Sequence, residues 1–121
     1  MEIRYKGIQY EIPTRTAERA AKKLEALQKY CPVDPSLVSA YVELGKETEA
    51  HHTGKIWKAM VNMNVDGTVY RAEALEESIE NAIDRVSNEL SKELRKARSK
   101  NTTLARRGGG FLKSLTRRFS E

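Results

Sequence analysis

The chain holds a single cysteine, Cys31, among 121 residues, which excludes an internal disulfide and any multi-cysteine metal centre. Histidine is equally scarce: His51 and His52 stand side by side in a polar stretch and there are no others. Two adjacent imidazoles without further fixed donors do not make the three or four ligands of a tetrahedral zinc site, so no metal and no cofactor are expected. The same scarcity removes the usual general base, and no Ser or Cys sits in a recognisable nucleophile elbow. Glycine is concentrated in Gly108-Gly109-Gly110, which follows no strand and precedes no Lys-Ser/Thr pair, so it is not a phosphate-binding loop. An enzyme is not expected. Nor does any run approach the roughly 20 apolar residues of a membrane helix, and the N-terminus lacks the apolar core of a signal peptide. The expected location is the cytoplasm.

What is present is charge, at 32% of residues, against 39% hydrophobic residues. That balance and length fit one soluble domain with an ordinary core. The net charge of +5 is unevenly spread. Residues 1–100 carry 17 Lys and Arg against 16 Asp and Glu, while residues 101–121 carry 5 against 1. A domain so nearly neutral can bind a polyanion only by segregating its cations onto one face.

The longest periodic stretch runs from Glu73 to Lys100. Leu75, Ile79, Ala82, Ile83, Val86, Leu90, Leu94 and Ala97 recur at steps of three and four, the stripe of an amphipathic helix. Glu76, Glu77, Glu80 and Asp84 crowd its start and Lys92, Arg95 and Lys96 its end, as the helix dipole favours. A second helix is predicted from about Arg15 to Tyr30, with Thr14 as N-cap and Ala17, Ala20, Ala21, Leu24, Leu27 and Cys31 on its inner side. Arg15, Arg19, Lys22 and Lys29 occupy its opposite face, with Lys23 at the edge. Cys31 on the apolar side reads as a core residue.

Between and before the helices, alternation predicts strands. Ile3 and Tyr5 alternate with charged residues before Gly7; Val38, Ala40, Val42 and Leu44 alternate within 37–44; Trp57 to Val65 alternates within 56–65. Residues 45–54 read as an exposed loop, and Asp66-Gly67 as a type I′ hairpin turn leading into a return strand over 69–74. Half-apolar strands and one-striped helices are satisfied by an α+β fold, a single sheet with both helices on one face. That packing places the cations of the two helices side by side. Two readings fit them: an ordinary solvated face, or a surface that tracks the phosphates of structured RNA. Aromatics are few on the helices, Tyr30 being the best placed, which favours recognition by shape over base stacking.

The last 21 residues carry Arg106, Arg107, Arg117 and Arg118 around the three glycines, with Phe111, Leu112, Leu115 and Phe119 on one helical side. A flexible basic extension fits this composition, and so does a segment that orders on RNA, protein or membrane. The expected division is a domain over 1–100 and a tail over 101–121.

Three segments resemble the family of ribosome hibernation promoting factors, known also as ribosome-associated inhibitor A, ribosomal subunit interface protein or sigma-54 modulation protein. They are IRYKGIQYEIPTRTAERAAKKLEALQKY, GKIWKAMVNMNVDG and RAEALEESIENAIDRVSNELSKELRKARSK, with Arg71-Ala72-Glu73, Glu77, Ala82-Ile83-Asp84 and the Leu90, Leu94, Arg95, Lys96 ending as the most specific elements. The resemblance covers about residues 2–100. It implies a β-α-β-β-β-α fold similar to double-stranded RNA-binding domains, and binding to the small ribosomal subunit and the 70S ribosome in the channel of tRNA and mRNA. It further implies that Arg19, Lys22, Lys23, Lys29, Arg85, Lys92, Arg95 and Lys96, with Arg15 beside them, contact 16S rRNA, while Asp84 orients the helix. The long members of the family carry a second, dimer-forming domain; the residues after 100 are too few for one, so no dedicated dimerisation domain is expected. Glu89, Ser91 and Glu93 also interrupt the basic ending. The alternatives are a general structured-RNA-binding module, which would take any duplex, and a protein-interaction module that modulates transcription.

Overall fold

The computed structural model describes residues 1–47 and 56–106, with side chains described up to Ser99. The chain forms β1 (Glu2–Ile8), α1 (Thr14–Glu25), a 3-10 turn (Ala26–Tyr30), a shorter one (Pro35–Leu37), β2 (Val38–Lys46), β3 (Trp57–Val65), β4 (Thr68–Glu76) and α2 (Ile79–Arg106). This is the β-α-β-β-β-α order expected. The four strands make one sheet in the order β1-β2-β3-β4. β1 runs parallel to β2, Ile3 beside Ala40, and the other pairs are antiparallel. A parallel pair needs a crossover, and α1 with its 3-10 extension provides it.

Several boundaries differ from the periodicity. Thr14 is the first helical residue of α1 and not its cap; Pro13 holds that position, and its carbonyl accepts from the amides of Thr16 and Ala17 at 3.0 Å. The α-helix also stops at Glu25 and tightens to a 3-10 turn through Tyr30. Pro32 holds Cys31 in an extended conformation, φ −106° and ψ 103°, so the helix ends before it. β1 and β2 each continue two residues beyond the sequence expectation, and Gly45 belongs to β2. A Cβ there would strike the main chain of Ile8, its parallel neighbour, so only glycine lets the strands close at this point.

The largest shifts are at the two ends of α2, which runs on past Lys100 to Arg106 and starts later than expected. Glu73, Leu75 and Glu76 lie in β4, where Ala72 and Ala74 alternate into the core, and the helix begins at Ile79. Ser78 starts it: its Oγ accepts from the Asn81 amide at 3.1 Å and its carbonyl from the Ala82 amide at 3.1 Å. A hydroxyl capping an orphan amide contributes about 1 kcal/mol. Ser78→Ala is expected to lower the urea midpoint by that amount of stability with the m-value unchanged.

Asp66 (φ 49°) and Gly67 (φ 92°) form the anticipated turn, and Asn64 Oδ1 accepts from the Gly67 amide at 2.9 Å. Both helices pack on one side of the sheet. Val38, Val42, Leu44 and Met63 from the strands meet Val86 and Leu90 from α2, each no more than 2% exposed. Leu24 and Ala20 of α1 join the same cluster, as does Cys31, whose thiol donates to the Leu27 carbonyl at 3.7 Å. Burial pushes that thiol pKa up, which suits a packing role. Among the described residues no helix is long and apolar enough to cross a membrane, and no group of three or more His, Cys, Asp or Glu could hold a metal ion.

Candidate nucleic-acid interface

α1 buries Thr16, Ala20 and Leu24, so the helical period turns Arg15 and Lys22 outward and brings Arg19 and Lys23 to its flank. On α2 the buried apolar set is Ile79, Ala82, Ile83, Val86, Leu90 and Leu94, with Ser87 buried beside them. This leaves Lys92 and Lys96 outward, while Asp84 and Arg95 face the neighbouring helix.

Asp84 is the hinge of this layer. Its two carboxylate oxygens accept from Arg19 Nη2 at 3.1 and 2.9 Å, and Lys23 Nζ approaches at 3.7 Å. The side chains of Arg19 and Asp84 stay 42% and 35% exposed, so solvent screens the attraction. Asp84→Asn is expected to cost about 0.5–1 kcal/mol of stability, and a double-mutant cycle with Arg19→Ala should show a coupling of that size. A lone Asp among cations thus joins the two helices and holds two of the Arg and Lys side chains at fixed places.

Further along, two cations approach the ring of Tyr30, Lys29 Nζ at 5.2 Å and the Arg95 guanidinium at 5.8 Å from its centroid. Arg98 Nη1 donates to the Lys29 carbonyl at 3.3 Å. Here the 3-10 turn after α1 meets the C-terminal half of α2. Arg98 was not among the residues singled out from the sequence. The signal was available, since it follows Arg95 by three residues and so shares its flank.

Arg85 does not join this group. Its Nη1 contacts Glu76 Oε2 of β4 at 2.7 Å, and with Glu89 and Glu93 it lines a depression beside β4. The expectation that the cations of the two helices stand side by side is therefore corrected for Arg85: it occupies the flank of α2 turned away from α1, on the same helical stripe as Lys92 and Lys96. Lys92 is shared with Glu89 at 3.6 Å. Arg15, Lys22 and Lys96 are exposed and have no carboxylate partner among the described residues. Arg106 is the last residue of α2. Arg107, Arg117, Arg118, His51 and His52 lie outside the described residues.

The structure therefore defines a small α+β domain that lays a cation-bearing pair of helices over one face of a four-stranded sheet. Residues 3–102 match the family described as sigma 54 modulation protein / S30EA ribosomal protein, and the chain belongs to that family. The Protein Y N-terminal domain of Thermus thermophilus is similar, with 25% identity and a TM-score of 0.66, over 79% of this chain and 98% of that one. A ribosomal subunit interface protein from Coxiella burnetii shares the fold at 17% identity and a TM-score of 0.64, over 82% of this chain and 99% of that one. No curated protein matches this chain in sequence.

Proposed function

We propose that this chain is a ribosome-binding translation inhibitor, a hibernation factor that occupies the tRNA and mRNA channel of the small subunit, across the A and P sites, under stress or in stationary phase. The observation that carries this reading is the match of residues 3–102 to a family described as a ribosomal protein. The helix layer supplies a physical means. Arg15, Lys22, Lys92 and Lys96 point outward and can neutralise rRNA phosphates, each contact adding affinity that salt weakens. Arg19, Lys23, Lys29 and Arg95 are already engaged with Asp84, Tyr30 or both helices, so they shape the surface and add charge at fixed positions. Inhibition then requires no chemistry. A folded domain of 1–100 held in the channel excludes tRNA and mRNA sterically, in the cytoplasm, with the basic tail as a further contact to RNA.

Sedimentation of the purified chain with 30S, 50S and 70S particles tests this. Near-stoichiometric pelleting with 30S and 70S at low salt is expected, with release by high salt and by competing tRNA. Absence from ribosomes even at low salt sinks the proposal. Equal affinity for any RNA duplex would favour the general RNA-binding module, and RNA-independent capture of one protein would favour the interaction module.

A further inference from the structure

The sheet has an open margin. β4 stands last in the order β1-β2-β3-β4, and among the described residues no strand pairs with its outer side. The two-residue turn makes Val65 and Thr68 a hydrogen-bonded pair, so Thr68, Tyr70, Ala72, Ala74 and Glu76 direct their main-chain groups to β3. Val69, Arg71, Glu73 and Leu75 then direct theirs outward. A ladder of unpaired amides and carbonyls is a template for another strand. α2 does not cover it, since Val69 to Glu73 line the depression of about 510 Å³ beside Arg85, Glu89 and Glu93.

The side chains of the same four residues point to the sheet face opposite the helices, with Val69 59% exposed. In order they read apolar, cation, anion, apolar. Reversed, the order is apolar, anion, cation, apolar, which is the complement of the first. If a second β4 runs antiparallel with Ala72 opposite Ala72, Arg71 of each copy faces Glu73 of the other and Val69 faces Leu75. The nearest registers that keep the outward hydrogen bonds set Arg71 against Arg71 or Glu73 against Glu73. Opposite charges directly across a strand pair stabilise it and like charges destabilise it, so charge selects one register of the three. On the helix side the axis falls at Ala72, where the small side chains leave room.

We propose that two copies of this chain pair through β4 in that register, forming one continuous sheet of twice four strands with all four helices on the same side. The interface is isologous, as a two-fold dimer requires. One strand pair buries little area, so the dimer is weak and in exchange with the monomer. It goes beyond ribosome binding and stands whether or not that reading holds.

Sedimentation velocity of the full chain from about 10 μM to about 1 mM, a range suited to a small interface, provides the test. Mass is expected to rise from monomer toward dimer over this range. Arg71→Glu and Glu73→Arg, both at exposed positions, should each weaken self-association at least about tenfold, because each places like charges across both symmetry-related pairs. An equimolar mixture of the two single variants restores complementarity at every pair, as does the double variant Arg71→Glu/Glu73→Arg, and both should dimerise like the parent chain. A monomer at all concentrations, a dimer indifferent to the single reversals, or a mixture that stays monomeric would each overturn the proposal.

Discussion

Replacing Leu90 with Ala is expected to lower the unfolding free energy by about 3 kcal/mol, within the roughly 2–5 kcal/mol range for a buried leucine. Leu90 is 0% exposed at the middle of the buried stripe of α2, in one core cluster with Val42, Leu44 and Met63 of the sheet and Leu24 of α1. Shortening it removes transfer energy and leaves a void between two rigid layers, which close-packed neighbours fill only in part. Against a total stability of about 5–15 kcal/mol, that loss is a large fraction. For a domain of this size it corresponds to a fall in Tm of about 10–20 °C. Asn88→Ala, two residues away and exposed, should shift stability by no more than about 0.5 kcal/mol. Thermal and urea unfolding of the two variants, side by side, checks both figures. Equal small effects would mean that α2 does not depend on this stripe for its seat on the sheet.

The contrast shows what one-dimensional pattern carries. Which residues of α2 face inward was legible, because Ile79, Ala82, Ile83, Val86, Leu90 and Leu94 repeat with the helical period and are all buried. The turn at Asp66-Gly67 was legible because two consecutive positive φ values restrict the residue choice so strongly. The junction between β4 and α2 was not. Leu75 satisfies the helical spacing with Ile79, while Ala72 and Ala74 satisfy the strand spacing, and only pairing with β3 decides between them. The parallel alignment of β1 with β2 was also hidden, since alternation says nothing about direction.

The cationic surface divides in the same way. Outward cations on both helices followed from the period, but their grouping did not. Asp84 and Arg85 are adjacent in sequence and about 100° apart around the helix, so they belong to opposite flanks. Which flank meets α1 depends on where the crossover carries α1 over the sheet, a non-local fact. The result is that Asp84 meets Arg19 and Lys23, whereas Arg85 turns to Glu76 at the far margin. Tyr30 likewise gained its significance only once Arg95 and Lys29 were placed within reach of its ring.

That division yields the second large expected effect, on ribosome affinity. Reversing the four outward cations together, Arg15→Glu, Lys22→Glu, Lys92→Glu and Lys96→Glu, is expected to weaken binding to 30S particles by about a hundredfold or more at moderate salt. Each phosphate contact contributes roughly one unit to the slope of log affinity against log salt, so the slope should flatten by about three to four units. All four side chains are exposed, none is in the core, and only Lys92 has an ion pair among the described residues, so folding should survive the change. Arg4→Glu is the informative control, since Arg4 lies with Tyr41, Asn62 and Arg71 on the sheet face away from the helices. Bulk charge alone makes each reversal equivalent, and Arg4→Glu then costs about a quarter of the fourfold effect in log units. A surface formed by the outward sides of α1 and α2 instead leaves affinity nearly unchanged on reversal of Arg4. Salt-dependent sedimentation with 30S particles separates the two outcomes, and a full share of the loss at Arg4 would remove the assignment of the helix layer as the rRNA-facing side.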